Sequence, residues 1–348
     1  MMIMKLKIVV LSVFFATCCI SCSNVKTEIS GAGATFPLPY YNMVFKDFSD
    51  TTGINVAYGG IGSGGGIRSL KDGIVDFAAT DAFLSKAEEA EIAKSVIHVP
   101  TCLGAVVVAY NVPEISSLRL SADVLADIFL GVITKWNDGR IVETNPDIVL
   151  PDLNITVIYR SDGSGTTNVF TDYLSKISDR WRAEIGAAKS VSFPVGVAAK
   201  GNPGVAGIIG QTAGAIGYVG SEYAFARKIA FASLQNKAGK FVKPSTASIS
   251  AAASANIPAD SKIMITNSAA EEAYPISCFT WIVIYREQNY AKRSPEQAQA
   301  TVKLLNFILS NEAQSKAANV HYAPLPENVR CNALKSLKSV TYNGKAIE

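Results

Sequence analysis

Apolar residues in this chain fall either into short unbroken runs or into sets spaced three and four apart, which are the signatures of buried strands and of helices with one buried face. Ser30 to Phe36 reads as a short strand and turn, and Pro37 to Phe48 as a helix with Tyr41, Val44, Phe45 and Phe48 on one side. Ile54 to Tyr58 is strand-like, Ile67 to Leu70 opens a helix, and Ile74 to Ala79 is again an apolar strand. Val96 to Tyr110, which contains VVVAY, predicts a buried strand, broken after it by Asn111 and Pro113. A second unit begins there, with an amphipathic helix over Ser121 to Leu130, a strand over Ile155 to Tyr159, and a helix over Asn168 to Leu174 that buries Val169, Phe170, Tyr173 and Leu174. Gly207 to Gly220, glycine-rich and apolar, suits tightly packed strands and turns. Phe231 to Asp260, rich in Ala, Ser and Lys, predicts surface structure with one short helix. Ile276 to Tyr285 is a buried strand, and Pro295 to Asn319 a long helix striped by Val302, Leu305, Ile308 and Leu309. Alternating strands and helices predict an α/β fold with a largely parallel sheet, and no internal repeat is visible.

The first residues change the compartment. Lys5 and Lys7 precede an apolar stretch from Ile8 to Ala16, followed by cysteines and small residues, so residues 1–21 read as a secretion signal rather than a membrane span. Cys22, preceded by Ile20 and Ser21 and followed by Ser23 and Asn24, resembles the cysteine of a bacterial lipobox, with Cys18 and Cys19 as rivals. The mature protein is then expected on the periplasmic or cell-surface side of a membrane, held by its lipid. Removing the signal takes away two lysines and no acid, so 32 basic against 29 acidic residues becomes 30 against 29. That near-neutrality argues against a nucleic-acid binder. The remaining cysteines, Cys102, Cys278 and Cys331, are odd in number and lack C-x-x-C spacing, which points to buried apolar roles and not to zinc or a disulfide framework. Two histidines, His98 and His321, leave little material for metal binding or general-base work. Some 327 mature residues, 348 minus 21, suggest two domains.

Three loop-to-helix junctions share one chemistry: GAGATF (Gly31 to Phe36), GIGSGGG (Gly60 to Gly66) and RSDGSGTT (Arg160 to Thr167). Free N–H groups at a helix start, with the positive end of its dipole, attract an anion, and glycine lets the backbone approach closely. One such junction is ordinary capping. Three in one secreted chain point to one small anion. Gly60, Gly62 and Gly65 also satisfy the dinucleotide fingerprint, but Asp76 and Asp81 lie 11 and 16 residues beyond Gly65, short of the spacing of about 20 that a ribose-binding acid needs. No serine sits in G-x-S-x-G, and the P-loop pattern is absent from the sequence.

With GAGATFPLPYY, GIGSGGGIRSL, DFAATDAFLS, RSDGSGTTNVF, GNPGVAG, GAIGYVG and YPISCFTWIV in order, the chain resembles the substrate-binding proteins of bacterial phosphate-specific ABC transporters from about Ser30 to Asn319. The resemblance implies a type II periplasmic-binding fold, two α/β lobes joined by a two-strand hinge and closing on one dehydrated phosphate. Lobe one would comprise residues 28–110 and 273–348, and lobe two residues 111–272, with crossings near Asn111 and Ala273. Carried over by motif, the phosphate ligands fall at Thr35, Phe36 (through its backbone N–H), Ser63, Asp81, Arg160, Ser164, Gly165 and Thr166, with Asp162 orienting the arginine. Where the family often has a second serine, this chain has Gly64. The resemblance further implies a monomer that delivers phosphate to permease subunits in the inner membrane, without catalysis, cofactor or metal. Arg160 suits two phosphate oxygens with its planar donor fork. Asp81 can accept the proton that phosphate keeps near neutral pH and sulfate lacks; its alternative is to cap the helix that follows. Receptors for sulfate, molybdate or tungstate, and a phosphatase using Ser164 or Ser63, are the rival readings.

Overall fold

The computed structural model describes residues 27–92, 94–254 and 256–347, so the signal segment and Cys22 lie outside the described residues. In chain order the elements of the first group are β1 (Glu28–Gly33), α1 (Leu38–Thr52), β2 (Asn55–Gly60), α2 (Ser63–Lys71), β3 (Phe77–Thr80), α3 (Lys86–Glu91) and β4 (Val96–Asn111). A second group follows with β5 (Arg119–Leu120), α4 (Ala122–Phe129), α5 (Gly139–Thr144), β6 (Thr156–Arg160), α6 (Gly165–Ile177), α7 (Asp179–Glu184), β7 (Val197–Ala199), α8 (Gly201–Gln211), β8 (Ala215–Gly220) and α9 (Ser221–Arg227). After β9 (Ala230–Phe231), β10 (Ser233–Gln235), β11 (Phe241–Val242) and α10 (Thr246–Ala252), the chain returns through β12 (Ser277–Tyr285) to α11 (Pro295–Ile308), α12 (Asn311–Ser315) and α13 (Glu327–Leu337).

The main sheet runs β2-β1-β3-β12-β4-β8-β6-β7, with β9 also on β4, while β11, β10 and β5 form a small separate sheet. β4 holds it together by changing partners. Its Val96–Ala105 part pairs antiparallel with β12, and its Val106–Asn111 part with β8. The returning chain crosses at the same place: the Val106 amide donates to the Ile276 carbonyl at 2.9 Å, and the Tyr274 hydroxyl to the Val106 carbonyl at 3.2 Å. Both crossing segments are apolar and buried, and one continuous core runs past them into both groups. Parallel pairings β1–β2, β1–β3, β6–β7 and β6–β8 put the C-terminal ends of β1 and β6 beside each other at the seam. The loops leaving those ends therefore face one another, which is the position at which ligands bind open α/β sheets.

Local chemistry explains the elements. α1 begins after Pro37, ends at left-handed Gly53, and buries Tyr40, Tyr41, Val44, Phe45 and Phe48. The predicted helix from Pro295 to Asn319 is in fact interrupted: α11 ends at Leu309, and Ser310 accepts the Ala313 N–H to cap a new helix. The glycine-rich stretch Gly207 to Gly220 divides into the end of α8 and the whole of β8. Cys102 and Cys278 are buried and free, their thiols pushed up in pKa chiefly by burial. Among the described residues no helix is long and apolar enough to cross a membrane.

α2 lies hard against β1 at Gly66, where a Cβ would come within 2.3 Å of the Ala32 carbonyl oxygen and 2.4 Å of Gly33 Cα. Alanine normally gains about 1 kcal/mol over glycine inside a helix. Here the collision is with backbone, so Gly66→Ala should destabilise the protein by about 1–3 kcal/mol instead. Thermal unfolding followed by circular dichroism measures it, and a melting temperature at or above wild type would show that α2 is not packed as described.

Candidate functional site

The Ala34-Thr35-Phe36 turn between β1 and α1 has its backbone oriented by three tyrosines. The Tyr58 hydroxyl donates to the Ala34 carbonyl at 2.7 Å, the Tyr223 hydroxyl to the Thr35 carbonyl at 2.5 Å, and the Tyr322 hydroxyl to the Phe36 carbonyl. Burial, the dominant cause, pushes all three phenols well up in pKa, so each remains a donor. The Ala34 N–H is donated to the Ala79 carbonyl at 2.9 Å, and the Thr35 and Phe36 N–H groups at the start of α1 have no acceptor among the described residues.

The second junction enters α2 through Gly62 at φ 89°, a conformation that favours glycine. Ser63, fully buried, accepts the Gly165 amide proton at 3.0 Å, and the Gly64 amide donates to the Gly163 carbonyl at 2.8 Å. A Cβ at Gly64 would stand 3.3 Å from Gly163 Cα, so glycine at this position lets the two junctions approach backbone to backbone.

The third junction leaves β6. Arg160, its side chain 1% exposed, holds Asp162 through two parallel bonds, Nε to Oδ1 at 2.8 Å and Nη2 to Oδ2 at 2.5 Å. Asp162 also accepts from the Gly201 amide at 2.9 Å. Against the raising effect of burial, the guanidinium and this amide hold its carboxyl below the usual range. The pair uses only Nε and Nη2. Nη1 reaches the Thr166 hydroxyl at 3.5 Å. Ser164 caps α6 by accepting the Thr167 amide proton, and Tyr218 accepts the Arg160 amide proton at 3.1 Å while its oxygen lies 2.7 Å from Thr167 Oγ1. Gly165 is pressed into the opposite wall: a Cβ there would be 2.6 Å from the Asp81 nitrogen and 2.7 Å from Ser63 Oγ.

Asp81 sits behind this junction, 1% exposed. Its Oδ1 accepts from the Thr280 hydroxyl at 3.0 Å and its Oδ2 from the Thr166 hydroxyl at 3.2 Å. Burial pushes its carboxyl up to about 7, against the opposing effects of Thr280, the Arg160 charge and Thr166. It caps no helix. That role belongs to Ser85, which forms a capping box with Glu88 on α3.

Seven of the eight residues singled out by motif, and Asp162, thus lie on three junctions that meet at one seam, and the eighth, Asp81, reaches it from the end of β3. Several contributors carry no comparable sequence signal: Thr280, the three tyrosines and Tyr218. Asn202 has one, since GNPG opens the apolar spacing of Val205, Ala206 and Ile209 and so marks a fourth helix start. At the rim, Lys189 pairs with Glu88 at 2.7 Å and Lys262 with Glu89 at 2.8 Å. His98 accepts the Leu84 amide proton through Nε2 and is pushed down to about 3 by burial and then by Lys262 and Lys189, which leaves it neutral. His321 stacks on Phe225. Among the described residues no cluster of three or more His, Cys, Asp or Glu could hold a metal.

Comparison with known proteins agrees with this geometry. The family model for the PBP superfamily domain matches residues 23–312. Phosphate-binding protein PstS of Xylella fastidiosa strain 9a5c is 40% identical over 307 residues, covering 87% of this chain and 82% of that protein. Its namesake in Haemophilus influenzae is 40% identical, covering 87% and 90%, and that of Methanocaldococcus jannaschii is 38% identical over 341 residues, covering 90% and 86%. Among solved structures, the high-affinity periplasmic phosphate-binding protein PfluDING, bound with phosphate, superposes with a TM-score of 0.69 at 23% identity, covering 88% of this chain and 92% of that one. A phosphate-binding protein from Stenotrophomonas maltophilia gives 0.68 at 19%, covering 89% and 93%. These likenesses show a type II periplasmic-binding fold. From a matched superfamily domain and long, well-conserved alignments, it follows that the chain belongs to the PBP superfamily and, within it, to the PstS phosphate-binding proteins.

Proposed function

We propose that this protein binds inorganic phosphate outside the cytoplasm and delivers it to an ABC permease for import. The observation that carries the reading is Asp81: a buried carboxyl with hydroxyl partners, set among helix-start N–H groups and a guanidinium. Helix starts and Arg160 favour any small anion. The carboxylate selects among anions, because only a ligand that carries a proton offers it a hydrogen bond, while sulfate, molybdate and tungstate offer repulsion. In this reading Thr35, the Phe36 N–H, Ser63, Arg160, Ser164, the Gly165 N–H (turning from Ser63 Oγ to the ligand) and the Thr166 N–H donate to phosphate oxygens, Asp81 accepts from the phosphate hydroxyl, and Asp162 holds Arg160 in place.

Residues 28–110 with 273–348 form one lobe and 111–272 the other. The adjacent crossings at Val106 and Ile276 provide the hinge, and the Lys189–Glu88 and Lys262–Glu89 pairs meet across the rim on closure. The protein acts as a monomer tethered through lipid at Cys22, with permease subunits as its partner. No bond is made or broken. Ser63 and Ser164 are each committed to an amide proton and have no imidazole beside them, which disfavours the phosphatase reading.

Titration calorimetry at pH 8 should show phosphate bound at least about 10⁴-fold more tightly than sulfate. Asp81→Asn should narrow that gap; an unchanged ratio would remove Asp81 from the selecting role. Because the wild-type carboxyl is half protonated near pH 7, sulfate affinity should rise as pH falls below 7. Arg160→Ala should weaken phosphate by more than about 100-fold, losing charge-assisted bonds and leaving Asp162 uncompensated. Wild-type affinity in that variant would contradict the assignment.

Asp81 should also contribute to the pH dependence of stability without phosphate, alongside Glu222, whose carboxyl pKa burial raises as well. The folded pKa of Asp81 lies above its unfolded value near 3.8, so its contribution to stability is fully present below about 4 and lost as pH climbs to about 7. Asp81→Asn removes that loss and should stabilise the ligand-free protein above pH 7 by up to about 4 kcal/mol. Urea unfolding at pH 5 and pH 8 tests it, and a variant less stable than wild type at pH 8 would show that the buried carboxylate carries no such cost.

A further inference from the structure

Asn202 is fully buried at the start of α8, and its amide donates both hydrogens and accepts one. Its Oδ1 accepts the Gly220 amide proton at 3.0 Å. Backbone N–H can only donate, so the amide has one possible orientation and its Nδ2 faces the seam. Nδ2 carries two hydrogens and has two acceptors there, Thr35 Oγ1 at 2.9 Å and Thr166 Oγ1 at 3.2 Å. The Asn202 backbone N–H, one of the donors left free at a helix start, adds a second bond to Thr35 Oγ1 at 3.1 Å. The neighbouring Gly201, at φ 68°, places its own N–H on Asp162.

These bonds fix where the hydroxyl protons point. Thr35 Oγ1 receives two N–H donors and has no acceptor for its own proton among the described residues, so the proton is directed away from Asn202. Thr166 Oγ1 receives Asn202 Nδ2 and Arg160 Nη1 and turns its proton to Asp81. Thr35 belongs to the first group of elements and Thr166 to the second, so one amide spans both sides of the seam.

We infer that Asn202 is a positioning residue of the anion site, which aligns the Thr35 hydroxyl as a donor to the ligand and locks Thr166 as a donor to Asp81. It need not touch the ligand. This inference rests on the phosphate reading above and adds to it a residue that acts through two others. Replacing Asn202 with alanine removes the Nδ2 bonds and leaves Thr35 held only by the backbone N–H of residue 202, and Thr166 only by Arg160 Nη1 and Asp81. With aspartate, a carboxylate accepts the Thr35 and Thr166 protons, turning the first away from the ligand and the second away from Asp81.

The test is a double-mutant cycle read by phosphate calorimetry on the full mature chain, with Asn202→Ala, Thr35→Val and both together. Asn202→Ala should weaken phosphate binding about 10- to 100-fold in the wild-type background, and cost little further once Thr35→Val is present. Asn202→Asp should bind more weakly than Asn202→Ala. If Asn202→Ala does not fold, Asn202→Ser, which keeps one donor, runs the same cycle. Effects that multiply independently, or an aspartate variant no weaker than alanine, would overturn the inference and reduce Asn202 to packing. Failure of the wild-type protein to bind phosphate would instead overturn the functional reading, and this inference with it.

Discussion

Held between the hydroxyls of Thr280 and Thr166, the Asp81 carboxyl has no cation in contact among the described residues and is 1% exposed. Two hydroxyl bonds only partly offset the desolvation of a carboxylate, which is why its pKa rises to about 7. A carboxyl left in that state destabilises the fold unless something at the seam makes use of it. The neighbouring groups are donors: the helix-start N–H groups of Phe36 and Thr166, the hydroxyl of Thr35, and the free edge of the Arg160 guanidinium. An anion carrying its own proton satisfies all of them together, because its bare oxygens take the donors and its hydroxyl supplies Asp81.

The fold's contribution is to bring distant junctions within bonding distance. β4 pairs with β12 over Val96–Ala105 and with β8 over Val106–Asn111, so the C-terminal ends of β1 and β6 open onto the same seam from opposite sides. Glycine then decides how closely they approach. Gly64 and Gly163 meet backbone to backbone, and Gly165 lies where any side chain would strike Asp81. Orientation is fixed from behind, by Asp162 on Arg160, by three tyrosines on successive carbonyls, and by Asn202 on two hydroxyls. Such buried groups are pre-organised, so little conformational freedom is lost when the ligand arrives.

Much of this is legible in the sequence, and the boundary has a physical cause. The alternation of apolar runs and helical spacings reports burial of single elements, and it locates β4, β12, α1 and the start of α6. The three glycine- and hydroxyl-rich junctions can be read because each is contiguous. Contacts made across long separations leave no local mark: Asn202 meets Thr35 across 167 positions, and Tyr322 meets Phe36 across 286. Tyrosine is a common core residue, and the GNPG helix start that contains Asn202 points to no partner, so neither is tied to the site until the chain is folded. The break after Leu309 is missed for the opposite reason, because the apolar stripe continues while one capping serine restarts the helix. His98 and Asp81 are both buried and ionisable, yet only their partners, a backbone amide for one and two hydroxyls for the other, separate scaffold from site.

The most direct test is a structure of the phosphate-loaded protein at a resolution that reveals hydrogens. The account predicts one anion at the seam, within about 3 Å of the Phe36 and Gly165 nitrogens and of Arg160 Nη1, and joined to Asp81 by a short O–H···O bond of about 2.5–2.7 Å with the proton on the ligand side. An anion seated elsewhere, or one whose bare oxygen faces Asp81, would contradict it.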